Sequence, residues 1–218
     1  TKEEQEKLSR YVGWGGLGVV LANQNTVWTQ SDEQLRPLVV ELDSIISELE
    51  KAGFKDVKKH IKASVSTSHY TPIPVIKSMY SALAQLGFKH GNILDPSAGI
   101  GHFFGAMPTS IKNNSSLTSV EIEPLTAFIH KSLYPNSAGY NTGYEDANLP
   151  DSNYDLVVSN VPFGQLAVYD KKFNTPELKS IQGKIHNYFF AKAIQQAKEG
   201  GLIAFITSSG TLNSRENE

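Results

Sequence analysis

The stretch "ILDPSAGIGHFFGAMP", residues 93–108, decides the fold. It predicts a short buried strand that ends in an acid, Asp95, then a turn containing Gly99 and Gly101, and then the start of a helix. In an open parallel sheet, such a glycine turn lets a ligand approach the backbone at a helix N-terminus. The stretch therefore predicts a ligand site directly after a strand, although a glycine turn alone is weak evidence.

Strands and helices alternate on both sides of this stretch. The expected strands are 92–95, 117–121, 155–159 and 202–207, and the expected helices run from Pro74 to about 87, from about 101, over about 125–133 and over 187–198. Strands that alternate with helices of this length predict a mostly parallel α/β sheet with helices on both faces.

The N-terminal third has a different character. Residues 1–10 predict a charged helix, "YVGWGGLG" at 11–18 predicts a structural turn around a buried Trp14, and 42–51 predicts a packing helix. We therefore expect two parts. These are a helical N-terminal extension, residues 1–66, and an α/β domain, residues 67–218.

Composition excludes several kinds of protein. The 218 residues include no cysteine, and the six histidines show no metal-ligand spacing, so no metal site is predicted. No apolar run approaches the roughly 20 residues that span a bilayer, so we expect a cytoplasmic protein with no membrane partner. The net charge of −2 is low for a stand-alone binder of duplex DNA, which usually carries a basic excess.

An acid ends the next predicted strand. Glu121 lies 20 residues after Gly101, where a carboxylate can accept both ribose hydroxyls of an adenosine-containing cofactor. Both a nicotinamide dinucleotide and S-adenosylmethionine contain adenosine. The anion of Asp95, next to Pro96, would repel a pyrophosphate but attract the α-ammonium group of a methionine moiety. Charge therefore favours S-adenosylmethionine.

A second candidate site follows the strand in "YDLVVSNVPFGQ", residues 154–165. The strand ends at Asn160, and a turn stiffened by Pro162 leads to the aromatic Phe163. Loops at the carboxyl ends of parallel strands carry the chemistry of α/β proteins. The turn is therefore either a simple end to the strand or a site.

Three motifs, "DPSAGIG", "VEIEP" and "SNVPFG", occur in the order and spacing of a known family. They resemble amino-directed, S-adenosylmethionine-dependent DNA methyltransferases of the adenine-N6 class, whose signature is Asn-Pro-Pro-Tyr/Phe or Asp-Pro-Pro-Tyr. The resemblance covers roughly residues 68–212 and implies a Rossmann-like methyltransferase fold. With "YVGWGGL", "YTP" and "IHNYFFAKA", the pattern is similar to the methylase portion of the large methylase-helicase proteins of phages, plasmids and other mobile elements.

The resemblance implies roles for the turn after Asn160. The Asn160 side-chain oxygen and the Val161 carbonyl would bind the two hydrogens of an exocyclic amine, and Phe163 would stack on a base flipped out of the duplex. Pro162 completes the motif. Val161 departs from the family pattern, in which many relatives have proline. Valine can supply the same carbonyl with a less rigid backbone.

The resemblance also implies a cofactor site. Thr71 would lie near the methionine carboxylate, Asp95 near the amino group, and Glu121 at the ribose, with a carboxylate after the third strand at the adenine amine. That carboxylate is Glu145 or Asp146, of which Glu145 is preferred. The remaining expected cofactor residues form the glycine turn: Pro96, Ala98, Gly99 and Gly101.

We therefore expect methylation of the N6 amine of adenine in DNA, in a restriction-modification or mobile-element setting. The alternatives are a non-catalytic nucleic-acid-binding module of a larger helicase-type protein, and an N-methyltransferase acting on RNA or on a protein glutamine. The chain starts at Thr1 and ends in "SRENE". From this we expect a piece of a longer polypeptide, incomplete after about the fifth strand, whose helicase and recognition parts are further partners. Alone, it should bind cofactor weakly and methylate poorly.

Overall fold

The centre of the fold is a parallel sheet, seen in a computed structural model that describes residues 1–18, 20, 35–65, 70–162, 164 and 166–208. In the described residues the sheet has five strands in the order β3-β2-β1-β4-β5. They are β1 (Asn92–Asp95), β2 (Ser116–Val120), β3 (Ala138–Tyr140), β4 (Tyr154–Asn160) and β5 (Ala197–Ile206). All four neighbouring pairs run parallel. The predicted fold class is confirmed.

The helices of the described chain fall into two groups. Three lie in the N-terminal part: α1 (Lys2–Leu8), α2 (Arg36–Lys51) and α3 (Val57–Ser64). Five accompany the sheet: α4 (Ile73–Gln85), α5 (His102–Ala106), α6 (Thr109–Lys112), α7 (Pro124–Leu133) and α8 (Ile185–Gln196). None of the described helices has the length and apolar character needed to cross a membrane.

Alternation along the strands builds a core on each face of the sheet. In β1, Ile93 packs with α4 and α5, and its neighbour Leu94 packs with α8 on the other face. In β4, Leu156 and Val157 divide between the same two cores. Successive side chains of a strand point to opposite faces, so a strand buried on both faces is apolar throughout.

The order of the strands reverses between β1 and β4. Chain segments after β1 and after β4 leave the sheet on opposite sides, which opens a crevice outside the carboxyl ends of these two strands. Asp95 ends β1 and Asn160 ends β4, so both sequence motifs reach this crevice.

The structure differs from the sequence prediction at several elements. Strand β5 begins at Ala197 rather than at 202, α2 begins at Arg36 rather than at 42, and α3 was not predicted. Sheet pairing explains two further differences. The strand β3 was absent from the predicted set because its three residues are exposed and contain no apolar run, and it forms through pairing with β2. Helix α8 ends at Gln196 rather than at 198, because Ala197 already pairs with Tyr154 of β4. Sheet pairing, which sequence periodicity does not report, decides both boundaries.

The N-terminal helices pack against α7. Trp14 is buried, as predicted, among Leu42 of α2, Ile61 of α3 and other apolar side chains, with Leu125 of α7 packed against them. The Gln5 side chain of α1 also donates to the backbone oxygen of Ser132, at 3.2 Å. These contacts place α3 beside the loop that follows β2.

A buried ion pair fixes the loops that follow β3 and β4. Lys192 of α8 is 3% exposed, and its Nζ lies 2.9 Å from Oδ2 of Asp170 and 2.6 Å from the backbone oxygen of Tyr144. Tyr188 also donates to Oδ2 of Asp170, at 2.6 Å. Burial raises the pKa of Asp170, but the hydrogen bonds from Tyr188 and Lys192 outweigh it and lower the pKa overall. Three segments distant in sequence therefore meet at one cation.

The glycine turn after β1 requires glycine at its second position. Gly101 has φ +91°, and a Cβ atom there would overlap the ring of Tyr134. At Gly87, which ends α4 with φ +94°, no described atom lies within 4 Å of such a Cβ. The two glycines share the left-handed backbone and differ in the space around them.

Gly101→Ala should therefore destabilise the fold more than Gly87→Ala. Both substitutions carry the left-handed penalty of about 1–2 kcal/mol, and only Gly101→Ala adds overlap in a packed core, about 1–3 kcal/mol more. Urea unfolding of the two variants measures the difference. Equal losses would contradict the packing role.

Lys192→Met should lower the free energy of unfolding by about 3–5 kcal/mol, because it leaves the Asp170 carboxylate buried without its cation. The matched control is Lys172→Met. The Lys172 Nζ lies 3.4 Å from Asp151, and both side chains are 53% exposed, so its loss should cost about 0–1 kcal/mol. Urea unfolding tests both variants. A Lys192→Met loss no larger than the control's would show that the pair does not hold the loops.

Candidate active site

A cleft of about 470 Å³ lies outside the carboxyl ends of β1, β2 and β4. Its walls come from the turn after β1, the loop after β2, the turn after β4 and one side of α3. Most of the predicted site residues line it: Thr71, Pro96, Gly99, Glu121, Glu145, Asn160, Val161 and Pro162. The fold therefore brings residues from distant parts of the chain to one cleft.

Some predicted residues do not line this cleft. Asp95 and Ala98 are buried beneath the turn, Gly101 packs against Tyr134, and Asp146 is exposed outside the cleft. Phe163 lies outside the described residues. Because Glu145 lines the cleft and Asp146 does not, the geometry favours Glu145 of the two candidate acids.

Asp95 joins the ends of β1 and β4. It is fully buried, and its Oδ1 accepts a hydrogen bond from Ser159 Oγ at 2.7 Å and another from Ser97 N at 3.3 Å. Its Oδ2 is buried and has no hydrogen-bond partner among the described residues. Burial raises the pKa of Asp95 to about 7, against the lowering effect of these hydrogen bonds, and the charge of Glu121 raises it further.

Glu121 organises the loop that follows β2. Its Oε2 accepts from Gly99 N at 2.8 Å and its Oε1 from Glu123 N at 2.8 Å. Burial raises the pKa of Glu121 to about 7, although these backbone hydrogen bonds lower it. Each carboxylate oxygen can accept more than one hydrogen bond. The partly exposed side chain therefore keeps acceptor capacity on the cleft side.

Valine at position 161 makes a contact that proline could not make. The Val161 backbone N–H donates to the backbone oxygen of Ile206 in β5, at 3.1 Å. Proline has no N–H, so the family's usual residue would lose this bond. The departure from the family pattern thus replaces ring rigidity with a hydrogen bond to the neighbouring strand.

Sequence reasoning missed several residues of the cleft. Ile122 follows Glu121 directly, lines the cleft and is 65% exposed, which suits contact with a flat apolar ring. The rings of Tyr70 and His102 lie side by side in the wall, with centroids 4.9 Å apart. Ile122 could have been predicted from the sequence, because it directly follows the acid that ends a predicted strand. Tyr70 and His102 could not, because only the folded structure places them in the wall of the cleft.

The cleft fits a cation that carries an adenosine. Thr71 Oγ1 and Asp95 Oδ2 are buried polar atoms that have no hydrogen-bond partner among the described residues, and buried polar groups normally have one. Glu121 offers acceptors for hydroxyl groups, and Ile122 offers an apolar surface beside them. Burial disfavours the ionised form of both carboxyl groups, and a positively charged ligand beside them would offset that burial, whereas a pyrophosphate would add negative charge.

The raised pKa of Asp95 should make the effect of Asp95→Asn on stability depend on pH. The unfolded chain ionises Asp95 near its ordinary pKa of 3.8, whereas the folded chain keeps it neutral up to about pH 7. The wild type therefore loses stability as pH rises from about 4 to 7, and the asparagine variant does not lose this contribution. The variant's free energy of unfolding minus that of the wild type should grow by up to about 4 kcal/mol over this range. Urea unfolding at a series of pH values tests this, and a constant difference would contradict it.

Comparison with known sequences identifies the family. Residues 58–218 match the family described as N-6 DNA Methylase. Defense against restriction protein B of Escherichia phage P1 is 29% identical over 148 residues, which are 67% of this chain and 6% of that protein. The type II methyltransferase M.XamI of Xanthomonas campestris pv. amaranthicola is 29% identical over 157 residues, which are 64% of this chain and 29% of that protein. The chain thus spans less than a third of either relative.

Solved structures agree with the fold. A protein of Listeria monocytogenes described as a class I S-adenosylmethionine-dependent methyltransferase matches all of this chain and 77% of its own, with 17% identity and a TM-score of 0.57. The methyltransferase subunit of a type I restriction-modification system from Streptococcus thermophilus matches 68% of this chain and 37% of its own, with 18% identity and a TM-score of 0.52. The predicted cofactor, S-adenosylmethionine, is confirmed at the level of family and fold. Since the family match extends over well more than half of its residues, the chain belongs to the N-6 DNA methylase family.

Proposed function

We propose that this chain transfers the methyl group of S-adenosylmethionine to the N6 amine of adenine in DNA. The observation that carries the proposal is the position of Asn160 in the same cleft as Thr71 and Glu121. An acceptor for an amine and acceptors for a cofactor then line one cleft. The family's description as a DNA methylase supports DNA as the substrate.

The cofactor would lie across the carboxyl ends of β1 and β2. Glu121 would accept from the ribose hydroxyls, Ile122 would pack on the adenine ring, and Glu145 would accept from the adenine amine. The methionine end would meet Thr71 and the turn above Asp95, where a positive charge offsets the burial of a carboxylate. When bound, S-adenosylmethionine supplies a methyl group made electrophilic by its sulfonium sulfur.

The turn after β4 would orient the amine to be methylated. The nitrogen lone pair of an exocyclic amine is delocalised into the base and attacks poorly. The Asn160 side-chain oxygen and the Val161 carbonyl would each accept one amine hydrogen, which holds the nitrogen closer to tetrahedral and directs its lone pair into the cleft. The bond from Val161 N–H to Ile206 holds this turn in place.

A base inside a duplex cannot reach a cleft of this kind, so the target nucleotide would be extruded from the stack. Phe163, by the family pattern, would stack on the extruded base. The apolar side chains of Leu166 and Ile185, which also line the cleft, would contact its edges. Leaving the stack costs a few kcal/mol, which these contacts would offset.

The test is methyl transfer from labelled S-adenosylmethionine to unmethylated plasmid DNA, followed by digestion and identification of the methylated nucleoside. The wild type should yield N6-methyldeoxyadenosine. Asn160→Ala should reduce the yield at least about 100-fold, the scale of losing one preorganised hydrogen-bonding group that acts on the transition state. The cofactor affinity of this variant should stay within about threefold of the wild type. Asn174→Ala, at an exposed asparagine outside the cleft, is the matched control and should retain full yield.

A complementary variant separates binding from transfer. Glu121→Ala should weaken the affinity for S-adenosylmethionine by about 1.5–3 kcal/mol, the scale of hydrogen bonds to a charged group, with NAD as a non-binding control in calorimetry. Equal yields from Asn160→Ala and wild type, or a methylated cytosine as product, would overturn the proposed function. Cofactor binding without any transfer would favour the non-catalytic nucleic-acid-binding module instead.

A further inference from the structure

Helix α3 and the residues before it carry a concentration of positive charge. Between residues 51 and 62 the chain has a single acid, Asp56, and five lysines: Lys51, Lys55, Lys58, Lys59 and Lys62. The whole chain has a net charge of −2. The positive charge is therefore local.

The three faces of α3 have different surroundings. Val57 and Ile61 are buried in the N-terminal core. Ala63 and Ser64 line the cleft that holds Asn160. Lys59 is exposed and lies one helical turn before Ala63, so the two residues are neighbours on the helix surface. Positive charge consequently reaches the rim of the cleft.

The lysines of α3 form no ion pair with a carboxylate in the part of the chain that the structure describes. Within the described ranges, no ion pair of 4 Å or less involves Lys58, Lys59 or Lys62. Lys59 and Lys62 are exposed and three residues apart, a spacing at which like charges on a helix repel each other. A polyanion bound along this face would relieve the repulsion and release its own counterions.

We propose that Lys59 and Lys62, with Lys58 beside them, bind the phosphate backbone of the DNA strand whose base enters the cleft. This inference rests on the proposed function. An extruded base remains attached to its backbone, so the flanking phosphates must lie at the rim of the cleft, and α3 forms one wall of that cleft. Lysine binds phosphate as a mobile point charge, which positions a strand without reading its sequence.

The experiment compares two double variants that remove the same charge. Lys59→Ala with Lys62→Ala removes the proposed contacts, whereas Lys77→Ala with Lys89→Ala removes two exposed lysines outside the cleft. Fluorescence anisotropy with a labelled DNA duplex of about two helical turns is measured from about 50 to 200 mM salt. Calorimetry with S-adenosylmethionine on the same samples checks that each variant is folded.

In Lys59→Ala with Lys62→Ala, the loss of two phosphate contacts should make the plot of log affinity against log salt concentration less steep, by about 2 units of slope. The affinity for DNA at about 0.1 M salt should fall about 60-fold. The control double variant should change the affinity less than about threefold, since distant charges are screened at this salt. Lys59→Arg with Lys62→Arg, which keeps both charges, should bind DNA like the wild type.

Three outcomes would overturn the inference: an unchanged slope in Lys59→Ala with Lys62→Ala, an equal loss in the control, or no duplex binding by a wild type that binds S-adenosylmethionine. The first two outcomes leave the cofactor site and the identity of the methylated nucleoside untouched, whereas the third would also count against DNA as the substrate. Conversely, lysine-dependent DNA binding without formation of N6-methyldeoxyadenosine would count against the proposed function and leave the phosphate contacts standing.

Discussion

The pairing of β1 with β4 is the constraint on which the rest of the molecule depends. These strands are about 60 residues apart in sequence, yet Ile93 lies opposite Leu156 in a parallel ladder. That register sets Asp95 beside Ser159, and their hydrogen bond closes the end of the ladder. A shift of one residue would turn every side chain of one strand to the other face. The glycine turn and the asparagine turn would then no longer open onto one cleft.

Acidic and basic side chains near the cleft differ in how deeply they are buried. Asp95 is buried beneath the turn after β1, and the half-buried Glu121 lines the cleft; burial raises the pKa of each carboxyl group to about 7. Lys59 and Lys62 of α3 are exposed, on a helix of which Ala63 and Ser64 line the cleft. Positively charged S-adenosylmethionine, which is small enough to enter the cleft, would therefore lie near the carboxyl groups. DNA, a large polyanion that stays outside, would meet the exposed lysines. A net charge near zero conceals this arrangement, which is why total charge says little about the partner.

Much of the fold was predictable because strongly apolar strands and glycine-ended helices leave clear local signals. The motifs around Asp95, Glu121 and Asn160 were predictable as well, since each follows a strand and strand ends share one edge of a parallel sheet. The buried pair of Lys192 with Asp170 could not be predicted, because a lysine in a helix is normally exposed and nothing local in the sequence marks this one as buried. Nor could the contribution of α3 to the cleft, since it depends on how the N-terminal helices pack against α7.

The hydrogen bond from Val161 to Ile206 has a consequence for observing the motif in solution. A proline at this position would leave the turn without an amide proton, whereas valine provides one at the centre of the motif. Because that proton is donated to β5, it exchanges with solvent only when the turn separates from the strand. The rate of that exchange thus reports how often the Asn160 turn opens. In this chain, valine at a position where the family pattern often has proline also makes the motion of the motif measurable.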